Sequence, residues 1–325
     1  MRIFSNASFR FIEGRRIAYV VSGVILTAGI TAMVVNAFSI GSWQNYGVDF
    51  TGGSLVQVAF DEAGEGRDAG GLRAALGGAG APDITRFGSE LEFVIRTPVP
   101  EGASIADVAN ELEAELAATY GEGAPEVVRT EAVTAKVGSE LQTKALSAIL
   151  FSFLLTLVYL AFRFEVRFGL AAVIATAHDI LITLGFLAIF RVEIALATVA
   201  AILTIVGYSL NDTIVVFDRV RENLNKKGGA RRDPVELVNA SINETLPRTV
   251  LTSGTTLVVL LSLLLLGGSV IRDFTLVLIL GVIVGTYSSI FVASPALIEI
   301  RRRFGAGRTA GANPRIEPRT ARARA

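Results

Sequence analysis

Long apolar blocks separated by short charged intervals set the rhythm of this chain. Six stretches, roughly 17–38, 145–162, 168–190, 194–217, 249–269 and 274–297, stay predominantly apolar over the length that matters for a bilayer. An α-helix needs about 20 such residues to cross a hydrocarbon core about 30 Å thick. The pattern therefore predicts six transmembrane helices. The first is too long for the apolar core of a signal peptide, and no clear small-x-small cleavage site follows before Trp43. It reads as a retained anchor.

Between the first and second blocks the period changes. In 54–60, Leu55, Gln57 and Ala59 alternate with Val56, Val58 and Phe60, the period of two of a half-buried strand. The segment reads as strand (Ser54–Phe60), helix (Asp68–Leu76), strand (Ile84–Phe87), strand (Leu91–Thr97), helix (Ser104–Tyr120) and strand (Glu126–Val133). Ser104 followed by Asp107 resembles a helix capping box, with Asp in the usual Glu position. A βαββαβ order is the split βαβ, ferredoxin-like arrangement, and the segment is long enough to fold alone.

The formal net charge is zero, but the charges are segregated. Arginine and lysine in short loops mark the cytoplasmic side of a membrane protein. Arg2, Arg10, Arg15 and Arg16 precede helix one, and Arg163 and Arg167 lie between helices two and three. Arg219, Arg221, Lys226, Lys227, Arg231 and Arg232 lie between helices four and five, and Arg301, Arg302, Arg303 and Arg308 follow helix six. The two short alternate loops carry only Arg191 and Arg272. Every loop agrees on one orientation, with both termini in the cytoplasm. Residues 39–143, with 17 acidic against 6 basic residues, are then periplasmic. The expected organisation is a cytoplasmic N-terminus (1–16), helix one (17–38), an α+β periplasmic domain (39–143), helices two to six (144–300) and a basic tail (301–325). The tail, rich in Arg, Ala, Gly and Pro, reads as disordered.

Composition removes several kinds of chemistry. There is no cysteine and a single histidine, His178, which leaves no disulfide framework and no multi-histidine metal site. No GxxxxGK[ST] loop, nucleotide fingerprint or nucleophile–histidine arrangement appears in a water-facing segment. No enzyme activity, cofactor, metal or nucleic-acid partner is expected.

Ionisable residues inside a bilayer are costly and point to function. Helix three carries His178 and Asp179 near its middle. Helix four carries Tyr208, Ser209, Asn211, Asp212 and Thr213. Asp212 sits in an apolar frame from Ile202 to Val216, and its candidate partner is Arg248, where the pattern starts helix five. A buried carboxylate whose partner can move away changes its proton affinity with conformation. That is the minimum machinery for coupling a proton gradient to movement. A static ion pair that fixes helix packing is the other reading. His178 and Asp179 read equally as interhelical hydrogen-bonding groups. Gly281 and Gly285 form a GxxxG on helix six that permits close helix approach. Asp49, just before the Gly52–Gly53 pair, reads as an Asx-type turn capping nearby amides, or as part of the outer mouth of a proton path.

Four of these motifs, in order, resemble the SecD/SecF translocase family: Gly47–Val48–Asp49–Phe50–Thr51–Gly52–Gly53, Ala177–His178–Asp179, the run Tyr208 to Asn223, and Arg248 to Thr256. The resemblance extends from about residue 3 to 303. It implies half of an RND-type transport unit, completed by a SecD chain, with association to the SecYEG channel and YajC, and with exported preproteins as substrate in contact with membrane lipids. It also implies that Asp212 is the proton carrier and Arg248 its charge partner, with coupling to the proton-motive force late in export. His178, Asp179, Tyr208, Asn211 and Thr213 would be supporting polar residues, and Gly47, Asp49, Gly52 and Gly53 the family motif. An RND-like exporter of small lipophilic molecules would need a larger outer domain than about 105 residues. A non-conducting scaffold remains the third reading.

Overall fold

The computed structural model describes residues 8–77, 82–87, 89–97, 104–133, 135–163, 165–268 and 271–304. Six of its helices are long and apolar enough to cross a membrane, judged by length and composition. They are α1 (Arg15–Ser39), α5 (Ala135–Arg163), α6 (Val166–Phe190), α7 (Leu196–Asn225), α8 (Pro234–Leu266) and a composite of α9 (Arg272–Ser288), a π-helical turn (Ser289–Ala293) and α10 (Ser294–Phe304). The middle of the bundle is formed by α6, α7 and the composite helix, whereas α1, α5 and α8 lie outside with most of their apolar surface uncovered. Side chains such as Phe162, Val258 and Leu265 point outward, which suits lipid and would be costly in water.

Four helices differ by more than two residues from the spans read off hydropathy. α5 begins at Ala135 rather than at 145, inside the segment read as the outer domain (39–143). α7 continues to Asn225, and α10 runs through Arg301–Arg303 to Phe304, so the basic tail begins no earlier than 305, outside the described residues. Helix five begins at Pro234 rather than at 249. Asp233 caps it, its carboxylate accepting from the Glu236 amide at 3.4 Å, and Pro234 occupies the first turn, where its missing N–H costs nothing. Pro247 lies inside this helix and does not end it. Arg248 is therefore a mid-helix residue. The first turns of α8 are too polar to register as a span, which is why hydropathy passed over them.

In the composite helix, Pro295 offers no N–H and its ring crowds the preceding turn. The π turn accommodates this, and the Ser294 hydroxyl donates to the Ser289 carbonyl five residues back at 2.9 Å.

At one end of the bundle sits the α+β domain. Its strands β2 (Gly53–Ala59), β3 (Asp83–Arg86), β4 (Glu92–Thr97) and β5 (Glu126–Val133) form one antiparallel sheet in the order β3-β4-β2-β5. Helices α3 (Ala69–Ala75) and α4 (Ile105–Tyr120) complete the ferredoxin-like order that the sequence pattern predicts. Val56, Val58, Leu72, Phe93, Ile95 and Leu116 fill its core. The Ser104–Asp107 capping box is present, with both reciprocal bonds formed.

A second, two-stranded sheet ties the domain to the bundle. β1 (Asn45–Tyr46) pairs in parallel with β6 (Glu193–Ile194), which lies between α6 and α7. At the far end the chain is held by ion pairs. Asp218 joins Arg163 and Arg221, and Arg219 joins Glu222 and Glu244. There the N-terminal segment lies on α8: the Phe9 and Ile12 amides donate to the side-chain carbonyls of Asn243 and Asn239 at 2.9 and 3.0 Å.

The closest helix approach is between α1 and α6. A Cβ placed on Gly29 would lie 2.7 Å from the Gly185 Cα, so only hydrogen fits on both sides. Gly185→Val must push the helices apart. It should cost about 1–3 kcal/mol, the usual range for overpacking. A thermal unfolding series in detergent checks this, with Gly254→Ala, at an open position, as the unperturbed control.

Candidate functional site

Asp179 is a buried hub of side-chain hydrogen bonds in the bundle. It is 1 % exposed. Its Oδ1 meets His178 Nδ1 at 2.8 Å, while its Oδ2 accepts from Ser209 and Ser288 at 2.5 and 2.7 Å. The other ring nitrogen of His178, Nε2, meets Ser22 Oγ at 3.0 Å, and Ser22 in turn meets the Tyr287 hydroxyl at 3.2 Å. Tyr287 donates to the Ala18 carbonyl at 3.0 Å. One carboxylate and one imidazole thereby join α1, α6, α7 and α9. Neighbouring residues on a helix normally point apart. Here the His178 ring turns back onto Asp179 and still reaches α1. A buried carboxylate is tolerable only when its lone pairs are satisfied, and this one is.

One turn along α7 lies Asp212, 3 % exposed. Its Oδ2 accepts from Ser253 Oγ on α8 at 3.4 Å, and Ser253 Oγ lies 2.7 Å from Thr286 Oγ1 on α9. The Tyr208 hydroxyl, one turn back on the same face, lies 3.5 Å from both Ser253 Oγ and Thr256 Oγ1. Ser209 and Asp212 are three residues apart, and Thr286 and Ser288 two. The two polar clusters therefore share helices α7 and α9 within the apolar bundle. Thr249, one turn from Ser253 on α8, is buried and its hydroxyl has no hydrogen-bond partner among the described residues.

The Asp212–Arg248 ion pair expected from sequence is not formed. Among the described residues no salt bridge joins them, and Arg248 is exposed on the outer face of the bundle. The difference follows from helix geometry: Thr249 and Ser253, one turn apart on α8, face inward, and Arg248, next to Thr249, is turned about 100° away. Asn211 is exposed as well, next to the buried Asp212, whereas Thr213 is buried. Gly281 and Gly285 serve close packing, against the Ile205 side chain and Ser209 on α7.

The Gly47–Gly53 motif occupies the junction between domain and bundle. A Cβ on Gly47 would collide with the Glu193 side chain, and the Gly47 amide donates to the Ile194 carbonyl at 3.0 Å. Gly52 and Gly53 adopt φ of 75° and 142°, which a side chain would strain, and a Cβ on Gly53 would crowd the Thr97 carbonyl at 3.0 Å. The intervening short helix α2 (Val48–Thr51) packs on the start of α5, where a Cβ on Gly138 would lie 2.8 Å from the Phe50 carbonyl oxygen. Asp49 does not cap amides near it in sequence. Its Oδ2 accepts from the Leu196 amide at 2.9 Å, 147 residues away, at the first residue of α7.

Sequence reasoning places His178, Asp179, Tyr208, Ser209 and Asp212 in the membrane. It passes over Ser22, Thr286, Tyr287 and Ser288. The signal for the last three is a run of hydroxyl side chains, Thr286 to Ser289, in an otherwise apolar helix. Ser22 carries no comparable signal.

Asp179→Ala would leave the Ser209 and Ser288 hydroxyls and the His178 ring without their shared acceptor. The expected loss is about 2–4 kcal/mol, from several buried groups losing their partner at once. Asp179→Asn keeps an acceptor oxygen and should cost less. Thermal unfolding of the two variants side by side tests the ranking.

Comparison with known proteins places these features in a family. Residues 112–303 match the protein export membrane protein SecD/SecF C-terminal family, and residues 45–63 match the SecD/SecF GG motif. The chain is 44 % identical over 311 residues to the protein translocase subunit SecF of Gemmatimonas aurantiaca, covering 94 % of this chain and 90 % of the relative. It is 41 % identical over 293 residues to that of Escherichia coli O157:H7, covering 87 % and 85 %. The crystal structure of SecDF, a translocon-associated membrane protein from Thermus thermophilus, superposes with a TM-score of 0.77 at 37 % identity over 93 % of this chain. This chain spans 40 % of that longer one. SecDF in its super-membrane-facing form superposes with a TM-score of 0.65 at 39 % identity, covering 92 % of this chain and 39 % of that one. The polytopic bundle, the junction motif and the polar helices thus belong together in one known lineage, and the chain is a member of the SecD/SecF family of protein export membrane proteins.

Proposed function

We propose that this chain is an accessory subunit of protein export in the bacterial inner membrane. It pairs with SecD, works beside the SecYEG channel and YajC, and uses the proton-motive force to promote the late stages of preprotein movement. Both termini lie in the cytoplasm and the α+β domain in the periplasm, an orientation supported by the cation-rich far end. The role is transport without covalent chemistry.

One observation carries the coupling reading. Asp212 is buried in a hydroxyl-lined region, its hydrogen bond to Ser253 is long, and among the described residues no salt bridge reaches it. The proton affinity of a carboxylate depends on whether a cation stands beside it, so a change in that neighbour couples charge to conformation. Arg248 is the cation placed to do so, on the helix that also supplies Ser253. Tyr208, Thr213, His178 and Asp179 support the carrier by filling and fixing its surroundings.

The SecD half has a natural seat. Thr204, Gly207 and Asn211 on α7 and Arg248 and Thr255 on α8 are exposed near the middle of their helices. Amide and guanidinium groups at that depth are costly against lipid tails. A second helical half laid over this face would cover them beside Asp212, and would bring its own polar groups to the same place.

Two experiments test this reading. Preprotein export into inverted vesicles is measured for the wild type and Asp212→Asn, with and without a proton gradient. The gradient should stimulate the wild type alone; equal stimulation of both makes the carboxylate structural. A photo-cross-linking amino acid at position 211 should capture SecD, whereas the same group at Phe162 or Leu266, both close to 90 % exposed, should not. Capture from all three positions alike would remove the proposed seat.

A further inference from the structure

The junction motif and the proton-carrier helix are joined by a bond that neither segment could make within itself. α7 begins after Ala195, which has no side-chain acceptor for the helix's first amides. Most helices meet that need with a Ser, Thr, Asp or Asn at this position. Here Asp49 supplies the carboxylate from another part of the chain, its Oδ2 at 2.9 Å from the Leu196 amide. An anion at a helix N-terminus also suits the helix dipole.

Asp49 is itself held firmly. It lies in α2, wedged on Gly138 of α5, and four residues further on the chain becomes β2, an inner strand of the domain sheet. Three more links bind the same two segments. The Asn45 side-chain amide donates to the Arg191 carbonyl at 2.9 Å, Gly47 bonds Ile194, and Arg96 of β4 pairs with Glu193 at 3.4 Å. The start of α7 is thus attached to the sheet rather than to a free loop.

We infer that Asp49 is a positioning residue whose capping of α7 makes the outer domain and the helix bearing Asp212 move as one body. The inference rests on the proton-carrier reading of Asp212. Asp212 lies 16 residues along α7, about 24 Å at 1.5 Å per residue. A helix of that length is stiff, so a tilt or rotation imposed at Leu196 is delivered to the carboxylate. The buried Asp212 and the exposed Asn211 are adjacent on it, so a modest rotation changes what the carboxylate faces. The cap carries motion in both directions: the domain sets the environment of Asp212, and the protonation of Asp212 is felt by the domain.

The test removes the bond from each side in the full chain, assembled with SecD in inverted vesicles. Asp49→Ala deletes the acceptor, and Asp49→Asn retains an acceptor oxygen. Leu196→Pro deletes the donor at the first helical position, where proline is well accepted, so the helix itself should persist. Asp49→Ala and Leu196→Pro should each cut gradient-stimulated export several-fold while ATP-driven export without a gradient is unchanged. The two together should be no worse than either alone, and Asp49→Asn should recover most of the stimulation. Full stimulation in Leu196→Pro, or Asp49→Asn as defective as Asp49→Ala, overturns the inference. Should Asp49→Ala fail to assemble with SecD, Leu196→Pro against wild type decides alone. Asp212→Asn in the same vesicles keeps the two readings apart. If it stays gradient-stimulated, the carrier assignment fails, whereas the inference fails when Asp212→Asn loses stimulation and Leu196→Pro does not.

Discussion

A carboxylate surrounded by apolar helices must find hydrogen-bond donors, and the arrangement of this bundle follows from how Asp179 finds them. Its two oxygens take donors from α7 and α9 and the ring of its neighbour His178, which itself reaches α1. In a membrane, helices gain little from burying apolar surface against one another, because lipid is as apolar as leucine. Close backbone contact and shared polar groups have to provide the specificity. Both occur here on the same helices: glycine meets glycine between α1 and α6, and Gly285 meets Ser209 between α9 and α7. The apolar side chains fill space around these contacts. The polar ones decide which helix sits beside which.

Much of this architecture is legible in the sequence, and the reason is physical. A bilayer and a half-buried sheet each impose a strict pattern, so all six spans stand out, and the four strands of the domain do so within a residue. Helix ends in water are under no such constraint. The first turns of α8 are mixed in polarity, so hydropathy passes over them, although Asp233–Pro234 followed by Glu236 is a helix-start signal in the sequence. The intramembrane charges are visible because they are expensive. Ser22 and Ser288 are not, since serine is common in membrane helices and its value depends on what faces it. Asp49 shows the same limit: local rules find it an acceptor role near its own amides, while the fold gives it an amide 147 residues away.

The two acidic residues of the membrane part occupy contrasting settings. Asp179 is saturated with donors and anchors a fixed arrangement. Asp212 has one long bond, a neighbouring hydroxyl without a partner at Thr249, and its nearest candidate cation turned outward. Sequence alone ranks Asp212 above Asp179 but does not show how differently the two are bonded. Their difference is a matter of what the surrounding helices offer, and it divides the polar region into a rigid part and a responsive part.

The π turn in the composite helix fixes a relation between the two ends of the chain's last span. One residue of an α-helix advances the face by about 100°, so a widened turn re-aims everything beyond it. Upstream of the turn the helix presents Ser288 to Asp179; downstream it carries Arg301, Arg302 and Arg303. The compass bearing of the basic end is therefore set inside the bundle, at the turn where Ser294 reaches back to the Ser289 carbonyl. A single residue gained or lost there would leave the hydropathy of the span intact and still swing the basic end to a different quarter.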